Sequence, residues 1–174
     1  HIFEQVIPLR YWGQQFAITT AEYNTTYNFA RVTAIYDDTE VKVNGNIVKI
    51  LKAYETYEVT VREGSAWVET SRPTICYQYL TSASRNFIDT KDDGTEVNFG
   101  DPSMVYIAPI EQGLNEILIS AFTIEDPDSV AQAARLKVTA MKHYVNVVTK
   151  TSAVSAMRMN GEPIPADVTF EPLV

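Results

Sequence analysis

The chain is poor in the residues on which cross-linking, metal binding and acid–base catalysis most often rest. Of 174 residues only one is cysteine, Cys76, and only two are histidine, His1 and His143. A lone cysteine permits no internal disulfide. It sits in the apolar run PTICYQYL, which contains no cation, and a reactive thiolate needs a cationic neighbour. Cys76 therefore reads as a buried thiol. Seven glycines are scattered as turn residues, so no glycine-rich phosphate loop is present. No Gly-x-Ser-x-Gly elbow occurs, and a Ser-His-Asp set would have to draw on one of the two histidines. Fourteen Lys and Arg stand against twenty-two Asp and Glu, a net charge of −8. With no basic stripe to displace counterions, a nucleic-acid partner is excluded, and so is docking on an anionic membrane surface. No apolar run reaches the length of a membrane helix, which excludes helical membrane insertion. The chain starts at His1 without a signal peptide, and is expected to be a processed product or a piece of a larger protein.

What is present is strand pattern. VTAIYDDTEVKVNGNIVKI alternates apolar and polar residues on both sides of Asn44-Gly45, a pair that tolerates the positive φ of a type I′ hairpin turn. The acidic DDTE, Asp37 to Glu40, reads as a turn. TYEVTVREGSAWVET repeats the theme around Glu63-Gly64, with Val59, Val61, Trp67 and Val68 as core contributors. RPTICYQYL, SMVYIAPI, EILISAFTI and HYVNVVTKT read as further strands, while the Ala-rich DPDSVAQAARLKV predicts one short helix near 127–135. Short strands with frequent turn signals point to an all-β, β-sandwich-like fold. A weak repeat superposes the two Asn-Gly pairs, Asn44-Gly45 and Asn160-Gly161, and with them Val41 on Met157 and Val43 on Met159. It implies two related β-subunits: residues 1–122, and residues 123–174 as the start of a truncated second one. The truncation would leave an unpaired edge open to self-association.

Several residue groups invite a chemical reading. DTKDDGTE gathers Asp89, Asp92, Asp93 and Glu96 around Gly94. Such oxygen ligands suit calcium, but their spacing lacks the alternation of an EF-hand loop, so a solvated acidic surface that contacts a ligand is the better expectation. An N-terminal His with a second His followed by Tyr, here His143-Tyr144, could chelate copper on a carbohydrate-active enzyme. Paired carboxylates could do glycosidase work, although no two acids stand out. Ten Tyr and two Trp offer faces for sugars or anchors for proteins. No cofactor or metal is implied by this set, and a non-enzymatic role is expected.

GDPSMVYIAPIEQ, Gly100 to Gln112, reads as joinery. Asp101 can bond the amides of a turn, and Pro102 suits the start of a strand. Met104, Tyr106 and Ile110 alternate with Val105 and Ile107. Apolar residues on both faces predict a strand buried between layers, which Pro109 ends or kinks. Glu111-Gln112 is expected to meet Glu4-Gln5 or backbone edges.

The opening HIFEQVIPLRYWGQQF sets His1, Glu4, Gln5, Pro8, Trp12, Gly13 and Phe16 in a His-x-x-Glu-Gln…Pro…Trp-Gly…aromatic order. It is followed in turn by FARVTAIYDDTEVKVNG, LKAYETYEVTVREGSAWVETSRPTICYQYL, DPSMVYIAPIEQ and TKTSAVSAMRMNGEPIPADVTFEPLV. Over nearly its whole length this order resembles the IgGFc-binding protein N-terminal domain family, found in mucus IgG Fc-binding proteins and in bacterial surface proteins. The resemblance implies a middle piece of a larger extracellular or cell-surface protein, acting as a binding or adhesion module. A host glycoprotein, a mucin or an immunoglobulin would be its partner. It also singles out Glu4, Gln5, Trp12, Gly13, Asp101, Pro102, Glu111 and Gln112 as the family's structural motif. Mucus-type members carry cysteines near the His-x-x-Glu-Gln segment; their absence here points to a bacterial, adhesin-like relative. A structural spacer in a surface fibre is the alternative function.

Overall fold

The computed structural model describes residues 2–20, 28–61, 64–81, 102–114 and 145–173, with 88–90 and 96–98 described as backbone. By contacts the chain divides into two compact units. One comprises His1–Gly113 with Asn146–Val174; the other, Leu114–Val145, falls outside the described residues except at its two ends. The predicted helix near 127–135 and the strand EILISAFTI lie in that second stretch, outside the described residues. The described strands all belong to the first unit.

Its strands are β1 (Gly13–Thr19), β2 (Asn28–Ala34), β3 (Thr39–Val43), β4 (Asn46–Leu51), β5 (Thr56–Val61), β6 (Ser65–Leu80), β7 (Ile88–Thr90), β8 (Glu96–Asn98), β9 (Ser103–Tyr106), β10 (Arg158–Met159) and β11 (Glu162–Pro163). The fold is all-β. Seven of the strands form one curled antiparallel sheet. Both Asn-Gly pairs make the expected turns: φ is 48° and 77° at Asn44 and Gly45, and 53° and 85° at Asn160 and Gly161. Type I′ geometry needs positive φ at both central residues, and Asn and Gly are the residues that adopt it at least cost. The DDTE segment turns as expected, with Asp38 at φ 54° and Asp37 Oδ1 accepting from the Ala53 amide at 2.9 Å.

The sheet is organised by β6. Along Ser65–Thr70 it pairs with β1 and β3; along Thr74–Leu80 it pairs with β2 and β9. The expected separate strands SAWVET and RPTICYQYL are thus one sixteen-residue strand. Between its halves, Ser71, Arg72 and Pro73 are exposed, and the pairing to β1 jumps from Gln15↔Glu69 to Gly13↔Thr74. Strands that turn the corner of a sandwich do so at such bends and bulges. Pro73, which cannot donate to a ladder, fits here. Two buried threonines satisfy the corner. Thr70 Oγ1 donates to Arg72 O at 2.9 Å and lies 3.2 Å from Thr74 Oγ1, while the Gln14 side chain donates to Thr70 O at 3.1 Å.

Folding β6 back brings its two halves' inner faces together over one core. Phe16 and Ile18 of β1, Val32 of β2, Val41 of β3, Leu51 of β4, Val68 and Cys76 of β6 are fully buried, joined by Val59 and Val61 of β5. Each such aliphatic or aromatic side chain contributes roughly 1.5–3 kcal/mol through burial. Cys76 is a free, buried thiol, as expected, and desolvation pushes its pKa up to about 12.

Three expectations are corrected. SMVYIAPI is not buried between layers: among the described residues β9 pairs with β6 alone, and Val105 and Ile110 are about 40% exposed. An edge strand has no second neighbour to cover it. HYVNVVTKT is described from residue 145, and over 145–150 it joins no ladder. Instead the Asn146 side chain donates to Thr19 Oγ1 at 2.8 Å and to Thr20 O at 3.2 Å. Trp67 is not in the core. Val68 is, and alternation along β6 sends its neighbour to the opposite face.

At the ends of the main path the sheet has two different edges. β5 presents Thr56, Glu58 and Thr60, whereas β4 exposes Ile47, Val48 and Ile50. The β4 edge carries Lys49 and a register irregularity at Val48, two devices that hinder edge-to-edge pairing.

Candidate binding site

The two quoted motifs meet in space. A 3-10 turn, Leu9–Tyr11, leads into Trp12, whose indole N–H donates to Ile7 O at 2.9 Å. Gly13 then opens β1 directly against Pro109, which is itself fully buried. A Cβ at Gly13 would overlap Cβ and Cγ of the Pro109 ring and come within 2.9 Å of Glu111 Oε2. Only glycine lets the strand pass. Beyond Pro109, the short 3-10 turn Ile110–Gln112 presents two side chains to the edge of the opening segment. Glu111 Oε1 accepts from the Gln14 amide at 2.9 Å, and the Gln112 amide donates to Tyr11 O. Tyr106 donates to the same carbonyl at 3.1 Å, and Tyr77 donates to Gln5 O at 2.9 Å. Burial raises the pKa of both phenols.

Of the two partners expected for Glu111-Gln112, backbone edges are the ones it meets. The Glu4 carboxylate instead accepts from the Gln5 amide next to it, at 2.8 Å. Pro102 is exposed just ahead of β9. Asp101 lies outside the described residues.

This joint carries one end of a cleft. Ile110, between Pro109 and Glu111, lines a concavity of about 600 Å³. Its floor is the outward face of β1 and the first half of β6: Gln15, Thr19, Ser65 and Trp67. The opposite wall comes from residues 147–151, Val154 and the stretch 170–173. Register explains the floor. Ala17 pairs with Trp67, Thr19 with Ser65, and Gln15 with Glu69. Since Phe16, Ile18, Ala66 and Val68 point into the core, the residues between them point out. The main chain at Trp67 is clamped by the neighbouring hairpin turn. Its N–H donates to Asn44 Oδ1, and its carbonyl accepts from the Asn44 N–H, each at 2.8 Å. Lys150 and Glu171 add one charge of each sign to the lining.

A concave, mostly apolar space with a few convergent polar groups is the usual form of a ligand site. Sequence reasoning missed it, because it assigned Trp67 to the core. Strict alternation between Trp67 and Val68 was the available signal.

Of the four acidic candidates, two have a described backbone. Asp89 and Glu96 belong to the separate β7–β8 ribbon, where Asp89 is opposite Val97 and Glu96 opposite Thr90, so the two are not cross-strand partners. Asp92 and Asp93 lie in the connection between them, outside the described residues. His1 and His143, the pair considered for copper, also lie outside them. Among the described residues no three His, Cys, Asp or Glu side chains come together as a metal site, and no helix is long and apolar enough to cross a membrane.

The structure is an all-β domain with a cleft on one face of its sheet, and comparison with known families says what kind of domain this is. The chain belongs to the IgGFc binding protein family, which matches residues 1–174, its whole length. That is a binding family, not an enzyme family. No curated protein and no solved structure matches the chain.

Proposed function

We propose that the chain is a recognition module of a secreted or cell-surface, adhesin-like protein, and that its partner is a glycoprotein or other host protein, with immunoglobulin and mucin as the first candidates. The observation that supports this most is the Trp67 cleft, which adjoins the Gly13–Pro109 joint at Ile110, in a chain that matches a binding family throughout. Aromatic anchors in preformed concavities dominate recognition energetics. The acidic group Asp89, Asp92, Asp93 and Glu96 is proposed as a second contact region, one that would speed association with a basic partner surface and lose that effect as salt rises.

The test is to immobilise the chain and measure binding of IgG Fc and of purified mucin at two salt concentrations, with a heat-denatured control. Saturable binding to either, lost on denaturation, is expected. Absence of saturable binding to both, at both salts, refutes the reading. A spacer role in a surface fibre has one observation in its favour. Ile2, Phe3, Val6 and Leu9 expose apolar surface along the opening segment, and such rows suit contact with a neighbouring module. On that reading, stability should rise markedly when the chain is flanked by the rest of its protein.

A further inference from the structure

We propose that the cleft is a carbohydrate site, which takes a neutral sugar of a glycan chain against the indole of Trp67. This rests on the recognition reading above and names the ligand class for the same site. Four features of the cleft point to a sugar.

The first is the setting of the indole. Its cross-strand partner on the outward face is Ala17, whose single methyl leaves more room beside the ring than a larger side chain would. A pyranose has one apolar C–H face and a polar rim. An aromatic plate complements the face, and short neutral hydrogen-bonding groups complement the rim.

Those groups are present as the second feature. The Gln15 amide both donates and accepts, and the hydroxyls of Ser65 and Thr19 line the same floor. Thr19 Oγ1 already accepts from the Asn146 side chain at 2.8 Å, which leaves its own proton to donate to a ligand oxygen.

Charge is the third. Lys150 and Glu171 contribute one charge of each sign to the lining, so the cleft carries no net charge in a chain of net charge −8, which favours an uncharged sugar over a sialylated or sulfated one. Fourth, about 600 Å³ lies inside the range of small-ligand pockets, roughly 300–1,000 Å³. Such a space suits one or a few sugar rings. The Asn44 clamp on the Trp67 main chain fixes the backbone from which the indole projects, which lowers part of the ordering cost of binding.

The chain should be titrated with N-acetyllactosamine and with chitotriose by calorimetry. In parallel, a purified mucin should be presented before and after enzymatic removal of its glycans. Saturable binding to at least one of the two oligosaccharides is expected. It should weaken about 30-fold or more in Trp67→Ala, as for a central aromatic anchor, and less in Trp67→Phe, which keeps an aromatic face. If the circular dichroism of Trp67→Ala shows it unfolded, Gln15→Ala replaces it, with a loss of about tenfold expected from removal of a direct hydrogen bond. Mucin bound equally well with and without glycans would overturn the sugar assignment while leaving the recognition reading intact. Binding of neither oligosaccharide nor either form of mucin would overturn the sugar assignment, and failure to bind Fc as well would overturn both.

Discussion

Replacing Gly13 by alanine tests the joint on which the cleft depends. Gly13 has no left-handed φ, so alanine meets no backbone penalty there and any effect must be steric. The added methyl would overlap two atoms of the buried Pro109 ring and crowd Glu111 Oε2 at 2.9 Å. Forcing one carbon into a packed interior costs about 1–3 kcal/mol. If the 110–112 turn shifts to relieve the clash, the Glu111 bond to the Gln14 amide is lost as well, at a further ~0.5–1.5 kcal/mol. A total of about 2–4 kcal/mol follows, and for a chain of this size each kcal/mol lowers Tm by roughly 2–4 °C. Urea and thermal denaturation of Gly13→Ala should therefore show a Tm fall of about 5–15 °C. A second arm isolates the cause. In a Pro109→Ala background Cγ is gone and Cβ remains, so the Gly13→Ala penalty should shrink without vanishing, and a double-mutant cycle should return a coupling energy above ~0.5 kcal/mol. A Gly13→Ala stability within ~0.5 kcal/mol of the parent, or strict additivity with Pro109→Ala, would refute the close approach. The Trp67 emission spectrum in a Trp12→Phe background then reports whether the cleft end has moved with Ile110.

Two further outcomes follow from the core and the hairpin. The Cys76 thiol stays protonated in the fold until about pH 12, whereas an ordinary thiol ionises near 9.0. The unfolded chain thus loses that proton first; stability is full below pH 9 and falls above it, by at most about 1.4 kcal/mol per pH unit from this group. Tyr77 and Tyr106, whose values are also raised, add in the same direction above pH 10. Urea midpoints measured from pH 7 to 10.5 should be flat and then drop, with a shallower drop in Cys76→Ala; identical slopes would show that the thiol is not the buried acid described. Asn44→Ala removes a residue suited to φ 48° and the acceptor for the Trp67 amide. A loss of about 2–3 kcal/mol in denaturant unfolding is expected, from ~1–2 for left-handed backbone and ~1 for the hydrogen bond. Asn44→Gly should recover the backbone part alone.

Much of this architecture is legible in the chain, and the reasons are local. Alternation marks β2, β3 and β5 because a strand at a core boundary buries every second side chain. The Asn-Gly pairs announce their turns because few other residues accept positive φ at both positions. Cys76 shows its inertness through an uncharged setting. The joint was half visible: the residue types of Glu111-Gln112 and Trp12-Gly13 announced joinery, but not which groups they join. The acidic stretch from Asp89 to Glu96 drew attention by composition alone, and composition carries no register.

The sequence by itself determined the strand periods, the turn chemistry, the burial of the lone thiol and the order of motifs that places the chain in its family. All of these are written in residues a few positions apart. Tertiary structure alone decided that two expected strands are one bent β6, because its halves are told apart only by the different strands they pair with. It decided that Trp67 faces a cleft, because that cleft is closed by residues about 80–105 positions further along the chain. It decided that Gly13 must be glycine, since Pro109 arrives from 96 positions away. The bonds that fix the joint, Glu111 to Gln14 and Gln112 to Tyr11, span 97 and 101 residues. Contacts at such separations leave no periodic trace in a single sequence, for they depend on where loops bring strands together, and not on what any one strand is made of.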